Sequence, residues 1–287
     1  MEDCLVIKDN TLINSSYFLS LTEKRLINFC VALAQKNNKP INNQEYLTVY
    51  AEDFAELYGI NSKVVYRDLK SACDTILRRI FSYEYITPKG LIGLKKSNWL
   101  QSVDYIEGEG TVKVLFTKEL VPFINELERN FTKYHIRDTA KMTSVYAIRL
   151  YELIIAWRST HKTPMFLVED FRKKLGIEPN EYGRMNDFKK RVLDIAVEQI
   201  NTLSNIRIRV DQHKKGRTII GFSFTFTEVA PPKPERDPNT IDWVDQDQKP
   251  KREKITMQNL IAKYPKETMG KFEPEIFKMF GSKYHII

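Results

Sequence analysis

The chain has 287 residues, 42% of them hydrophobic and 29% charged, and a formal net charge of +8. That length and apolar content suffice for two domains with a core each and exclude disorder as the default, while the excess of cations favours an acidic partner, either nucleic acid or an anionic membrane surface. Cys4, Cys30 and Cys73 are odd in number, far apart and without a C-x-x-C pair, which excludes a disulfide framework or zinc cluster and fits reduced thiols in a cytosol.

From Thr11 to Phe18 the sequence reads as a short lead-in. Ser20-Leu21-Thr22-Glu23 has capping-box spacing, in which each side chain satisfies the other residue's free backbone N–H, so a helix starts there. Leu26, Ile27, Phe29, Cys30, Leu33 and Ala34 give it an apolar face, and Asn37-Asn38-Lys39-Pro40 ends it. Tyr46 to Tyr50 is β-prone. A helix from Glu52 to Tyr58 then stops at Gly59, which takes a left-handed cap without steric cost. Ser62 is placed to cap a second helix from Lys63 to about Ile80, with Val65, Leu69, Ala72, Cys73, Ile76 and Ile80 at helical spacing. Arg78 and Arg79 fit surface salt bridges on that helix. Tyr83–Ile86, Leu91–Leu94, Trp99–Tyr105 and Thr111–Phe116 read as strands, with turns at Lys89-Gly90 and Glu107-Gly108-Glu109-Gly110. Helices followed by a hairpin sheet is the winged-helix order.

Met142 to Thr160 is apolar on nearly all sides, Trp157 included, and is expected at the heart of a second domain. Pro164 to Leu167 is a short strand. It leads into Glu169-Asp170-Phe171-x-x-x-Leu175-Gly176-Ile177, which repeats Glu52-Asp53-Phe54-x-x-x-Tyr58-Gly59-Ile60 and marks an internal duplication. In the helix beginning near Met185, Phe188, Val192, Ile195, Ala196, Ile200 and Leu203 form one stripe and leave Lys189, Lys190, Arg191 and Asp194 outward. Ile206 to Val210 alternates with period two and is answered by Ile220, Phe222, Phe224 and Phe226, with a basic tip from Asp211 to Arg217 between them. Five prolines from Pro231 to Pro250 punctuate an acidic linker. Lys251 to Ile287, with eight Lys/Arg against four Glu, is expected to be mobile or to order on a partner, with a short helix over Met257–Lys263. The fold class expected is α+β: two tandem winged-helix domains related by duplication, 1–135 and 136–229, then a flexible C-terminal tail, 230–287.

A basic helix after a turn fits the DNA major groove, where Arg and Lys bond guanine and Asn bonds adenine. In the second unit Arg184, Asn186, Lys189, Lys190 and Arg191 are placed to reach bases, with Arg207, Arg209, Lys214, Lys215 and Arg217 of the wing near phosphates. The first unit offers Lys63, Tyr66, Arg67 and Lys70 on its helix and Lys89, Lys95 and Lys96 on its sheet. Its last hairpin carries Asp104, Glu107 and Glu109, an acidic tip that repels phosphate and suits a protein contact, such as another copy of the chain. For any one of these residues the plain alternative is solvation of a surface helix; the cluster argues more strongly than its members.

Chemistry finds no support in the motifs. His135, His161, His213 and His285 stand alone, without the His-x-His pair of a nickase, and no phosphate loop, nucleophile elbow or zinc-binding H-E-x-x-H is present. The paired acids at Glu52-Asp53 and Glu169-Asp170 open helices, where the macrodipole favours negative charge. No enzyme, cofactor or metal is expected. The acidic start Met1-Glu2-Asp3-Cys4 and the lack of any run of eighteen apolar residues predict neither signal peptide nor membrane span, hence a cytoplasmic protein.

Leu21-Thr22-Glu23-Lys24-Arg25-Leu26, the run Met142 to Leu153, the turn Phe171 to Ile177 and Phe188 to Asp194 running on to Ile200-Asn201 together resemble the iteron-type plasmid replication initiators of the Rep_3 class, over about residues 10 to 227. The resemblance implies binding of double-stranded direct repeats at an origin, help in melting adjacent DNA, and recruitment of a host initiator and replicative helicase. It also implies dimers, in equilibrium with monomers, that form largely through the first domain and repress the initiator's own gene or tether origins. It puts base recognition on the helix of Lys189, Lys190 and Arg191, and backbone or additional groove contacts on that of Arg67 and Lys70. The rival reading is a winged-helix transcriptional regulator without an initiator role; a nicking enzyme is the third.

Overall fold

In a computed structural model of the protein, residues 1–106, 108–125, 130–229, 253–280 and 284–286 are described. The chain divides into two compact units, Met1–Pro231 and Pro232–Ile287. The expected acidic linker and Glu107 lie outside the described residues.

The first unit opens with β1 (Leu5–Asp9), α1 (Asn10–Asn14) and β2 (Ser16–Tyr17). The span read as a lead-in is therefore structured: β1 pairs antiparallel with a distant strand, and Leu12 and Ile13 are buried. Helix α2 (Leu21–Lys36) has the predicted capping box, Glu23 N donating to Ser20 Oγ at 3.3 Å and Ser20 N to Glu23 Oε2 at 2.5 Å. Then come β3 (Leu47–Tyr50), α3 (Ala51–Tyr58) and α4 (Ser62–Ile76). The cap of α4 is Asn61, whose side chain accepts from Lys63 N at 2.9 Å, and Ser62 is the first helical residue. The helix stops at Ile76 rather than Ile80 because tight turns through Arg78 and Arg79 deliver the chain into β4 (Ile80–Ile86), leaving Ile80 half exposed. Strands β5 (Ile92–Asn98), β6 (Leu100–Ile106) and β7 (Thr111–Phe116) follow. They do not make the single hairpin sheet expected: one sheet runs β2-β4-β5 and another β3-β7-β6. After α5 (Val121–Ile124), β8 (Phe131–His135) closes back onto β1.

Next are α6 (Arg137–Ala140) and α7 (Val145–Ile155), capped by Ser144. Helix α7 is shorter than its apolar run, and Trp157 beyond it is 38% exposed. Then β9 (Phe166–Leu167), α8 (Val168–Leu175), α9 (Met185–Phe188), a π-helical turn over Lys189–Leu193, α10 (Asp194–Leu203), β10 (Ile206–Lys215) and β11 (Thr218–Glu228) complete the unit. The sheet order β9-β11-β10 repeats β3-β7-β6, and each first strand leads into two helices before the other two strands. The duplication read in the sequence is thus a duplication of topology, two winged helices, with β4–β5 inserted only in the first. One hydrophobic core runs through both, from Phe29 and Phe54 to Phe171 and Phe224.

The repeated glycines end α3 and α8 in the same way. Gly59 and Gly176 have φ of 63° and 76°; Ile60 N donates to Ala55 O and Ile177 N to Arg172 O, both at 3.0 Å, the long bond of a Schellman cap. They differ in surroundings. A Cβ on Gly59 would meet nothing, whereas one on Gly176 would stand 2.5 Å from the backbone oxygen of Tyr17. Gly59→Ala is expected to cost about 1–2 kcal/mol of left-handed strain, and Gly176→Ala about 1–3 kcal/mol more for the forced separation of packed backbones. Thermal denaturation of the two variants checks this; equal losses would mean that the Tyr17 contact yields freely.

In the second unit β12 (Glu253–Ile255) pairs in parallel with β13 (Tyr284–Ile286), and α11 (Met257–Lys263), α12 (Pro265–Thr268) and α13 (Glu273–Phe280) lie between them in sequence. Leu260, Ile276, Tyr284 and Ile286 form its own small core. The helix expected over Met257–Lys263 is α11; the other elements of this unit were not read from the sequence.

Candidate nucleic-acid interface

In the second winged helix α8 and the α9–α10 helix make the helix-turn-helix. Phe188, Val192, Leu193, Ala196 and Ile200 are buried, while Ile195 and Leu203, expected on the same stripe, are 39% and 37% exposed. The π turn is the reason. Asp194 N donates to Lys189 O, five residues back, so the turn takes in one residue more than an α turn and rotates Leu193 inward in place of Ile195. Opposite the core stripe, Arg184, Asn186, Lys190 and Arg191 are exposed and Lys189 is half-buried. Arg184 and Arg191 share the lining of a shallow cleft of about 470 Å³ with Glu181, Tyr182, Gly183 and Asp187.

The preceding turn is held by Arg172 of α8, which sequence reasoning missed. Its guanidinium donates to the carbonyls of Tyr182 (3.0 Å) and Glu181 and lies over the Phe188 ring. The wing is longer and its tip tighter than expected: β10 and β11 pair up to Lys215 and Thr218 across the two-residue turn Gly216-Arg217, with a register shift at His213/Lys214. Gly216 carries the positive φ of 62° that such a turn needs at its first position. Lys214, Lys215 and Arg217 are exposed at this tip. At the base, Arg207 bends onto the carbonyls of Ser204 and Ile206 (3.0 Å each) and Arg209 lies 3.5 Å from Asp211. Among the described residues, none of Arg184, Lys189, Lys190, Arg191, Lys214, Lys215 and Arg217 has a carboxylate within 4.0 Å. Seven cations thus lie on one helix end and one wing tip with no direct ion pair among the described residues, although Glu181 and Asp187 share the cleft of Arg184 and Arg191.

The first winged helix is arranged otherwise. Lys63 and Arg67 are exposed on α4, but Arg67 pairs with Asp68 at 3.2 Å. Tyr66 and Lys70 are half-buried, and Lys70 sits over the ring of Tyr105 on β6, whose hydroxyl bonds Asp74. Lys89, Lys95 and Lys96 ride on the inserted hairpin, away from this helix in the chain. Arg79 pairs with Glu23 at 3.1 Å, a salt bridge as expected but from the turn after α4.

A second group escaped the sequence altogether because it lies inside α7. Glu152 is fully buried: Oε1 accepts from Lys8 Nζ (2.8 Å) and the Tyr134 hydroxyl (2.7 Å), and Oε2 from Lys24 Nζ (2.6 Å), with Arg149 Nη1 3.6 Å away. Burial alone would raise the Glu152 carboxyl, but Lys24, Lys8 and Arg149 together hold it well below the usual range. Burial lowers Lys8 to about 8 against the pull of Glu152. Arg149 directs its own donors to Lys174 O (Nε, 2.9 Å), to Ser15 O (3.1 Å) and to the Tyr17 hydroxyl, and stacks 3.9 Å from the centre of that ring.

His213 bonds Ser223 Oγ and His135 bonds Asp3 O, each at a single ring nitrogen. Among the described residues no three His, Cys, Asp or Glu side chains are grouped to hold a metal ion, and no helix is long and apolar enough to cross a membrane.

Two family models match the chain: "Initiator Replication protein, WH1" over residues 5–155 and "Initiator Rep protein, WH2" over residues 167–226. Proteins similar in sequence include two from Escherichia coli. A "Replication initiation protein" is 25% identical over 224 residues, covering 76% of this chain and 67% of that one; a "PI protein" is 25% identical over 243 residues, covering 72% and 77%. The crystal structure of Pi initiator protein in complex with iteron DNA matches with a TM-score of 0.65 at 22% identity, covering 80% of this chain and 100% of that one, a likeness of fold.

Proposed function

The chain belongs to the initiator replication protein family, and from that premise we propose that it is a DNA-binding initiator of plasmid replication that reads double-stranded direct repeats at an origin through its second winged helix. The observation that carries the reading is the set of seven cations on the α9 end and wing tip that make no direct ion pair among the described residues. Such charge on a groove-sized helix beside a hairpin suits phosphates and guanine edges. Arg184, Asn186, Lys189, Lys190 and Arg191 are assigned to bases, and Lys214, Lys215 and Arg217 to backbone. Arg207 and Arg209, already engaged on the protein, contribute less.

The first winged helix, with Lys63, Tyr66, Arg67 and Lys70, takes backbone contacts and homodimerisation. Its β4–β5 hairpin supports the second role: Ile86, Leu91, Ile92 and Leu94 are 60–77% exposed and β5 is a free sheet edge, a surface open to pairing with another copy. The division 1–135, 136–229 and 230–287 follows these roles. Origin opening, recruitment of a host initiator and helicase, and repression of the protein's own gene come from the family resemblance. So does a role in the cytoplasm that is binding rather than catalysis.

Protection mapping on the plasmid that encodes the chain tests the proposal. Protection of tandem direct repeats beside an A·T-rich stretch is the expected result. A lone inverted repeat at a promoter would make the chain a regulator, and metal-dependent cleavage of supercoiled plasmid, lost with one Tyr substitution, would make it a nickase.

A further inference from the structure

We propose that Arg149 is a positioning residue for DNA reading: it clamps the second helix-turn-helix onto the first winged helix and thereby sets the spacing at which the reading helix and the backbone-contacting helix α4 meet one repeat. The inference rests on the DNA-reading role proposed above.

As an ion-pair partner Arg149 is redundant. Glu152 already has Lys8 and Lys24 in direct contact at 2.8 and 2.6 Å, and Arg149 stands at 3.6 Å. A third buried cation against one carboxylate adds desolvation without adding a close partner, and an apolar side chain would fill the space at lower cost. What an apolar side chain would lack is direction. The guanidinium is a rigid planar fork, and its hydrogen bonds go to the Lys174 carbonyl at the end of α8 and to the Ser15 carbonyl and Tyr17 hydroxyl around β2. Gly176, one residue beyond α8, packs its backbone on the Tyr17 oxygen at the same place.

Strand β2 is a joint between the two DNA-contacting helices. It pairs with β4 (Ser16 opposite Ser82, Tyr17 opposite Phe81), and β4 leaves α4, the backbone-contacting helix, after only the turn Leu77–Arg79. From α8 the chain runs through the turn braced by Arg172 into α9 and the reading helix. Beside the core that both winged helices share, this path is backbone pairing and braced turns, joined between β2 and α8 by Arg149 and the Gly176 contact.

The consequence lies in the helical geometry of DNA. One inserted base pair moves the far half of a site by about 3.4 Å and turns it by about 34°. A rigid pair of readers matches one spacing only, whereas a loosened pair accepts several.

The test uses the full chain and the repeat found by protection mapping, with one base pair added or removed at the centre of the protected stretch. Wild-type protein is expected to lose roughly 10-fold to 100-fold in affinity at either altered spacing, the scale of one or two mismatched positions. Arg149→Met, which also lowers the buried excess of positive charge, is expected to bind the native spacing about 10-fold more weakly and to lose less than about 3-fold on altering it. General loss of stability weakens all spacings alike and leaves that ratio unmoved. Should Arg149→Met not melt as a cooperative unit, Tyr17→Phe, which removes one acceptor of the clamp, is read in its place and is expected to flatten the profile as well. Wild-type binding that ignores spacing, or a folded variant as selective as wild type, overturns the clamp and leaves the initiator reading standing. Absence of repeat binding by the wild-type chain overturns that reading instead, and the clamp with it.

Discussion

Replacing Lys189, Lys190 and Arg191 together by Ala is expected to abolish repeat binding while the protein still melts as wild type does. The three occupy the outer side of the π turn, and the residues that anchor it, Phe188, Val192 and Leu193, face the core and are untouched. None of the three has a carboxylate within 4.0 Å among the described residues, so their removal breaks no direct ion pair. Ala is also the strongest helix former. Base contacts are worth about 1–3 kcal/mol each, and losing three consumes most of the ~4–10 kcal/mol that separates specific from non-specific binding. Each lost phosphate contact should also flatten the salt dependence by about 0.9 in log K per log salt. Gel shift and protection at several salt concentrations measure both quantities, with a melting curve as the control. Normal protection of the repeats by the triple variant would place the reading helix elsewhere, with α4 the next to test.

The local signals in this sequence were the dependable ones. Ser20 with Glu23 gave a capping box, Gly59 and Gly176 gave matching left-handed caps, and the repeated Glu-Asp-Phe motif gave two copies of one topology, because each depends on residues within a turn of one another. What could not be read depends on distant partners. The pairing of β1 with β8 joins segments more than a hundred residues apart, and nothing in the span before Ser20 announces it. The π turn leaves no mark in composition: Ile195 and Leu193 are equally apolar, and only packing decides which one turns inward. The reading cations of the second winged helix were visible because they cluster on the face opposite an intact apolar stripe. Arg149 and Glu152 instead interrupt the apolar run Val145–Ile155, and that interruption was the available signal for the buried cluster. Charged residues on the most apolar helix of a chain are either exposed or paired, and Arg149 and Glu152, 1% and 0% exposed, are paired.

Glu152→Gln should be among the most destabilising isosteric changes in the protein. The amide keeps the shape of the carboxylate but leaves Lys8, Lys24 and Arg149 buried without an anion, and removing one partner of such a group costs about 3–5 kcal/mol. Against a typical total of ~5–15 kcal/mol, that moves the urea midpoint far enough to read without ambiguity. Restoring balance should recover part of the loss, so Glu152→Gln with Lys8→Met is expected to be more stable than Glu152→Gln alone. The signs of the pH dependence follow from the two directions. The folded state holds the Glu152 carboxyl below its unfolded value of about 4.5, so its contribution is complete above that pH and is lost as pH falls further. Lys8 is lowered from 10.5 to about 8, so between those values the unfolded chain binds a proton that the folded chain has released, and stability rises with pH across that window. The full rise is about 3 kcal/mol, seen as the difference between wild type and Lys8→Met in urea titrations at pH 7 and pH 10. A difference that stays constant from pH 7 to 10 would show that folding does not lower the Lys8 ammonium, and an unshifted midpoint for Glu152→Gln would show that the cluster is not held by charge.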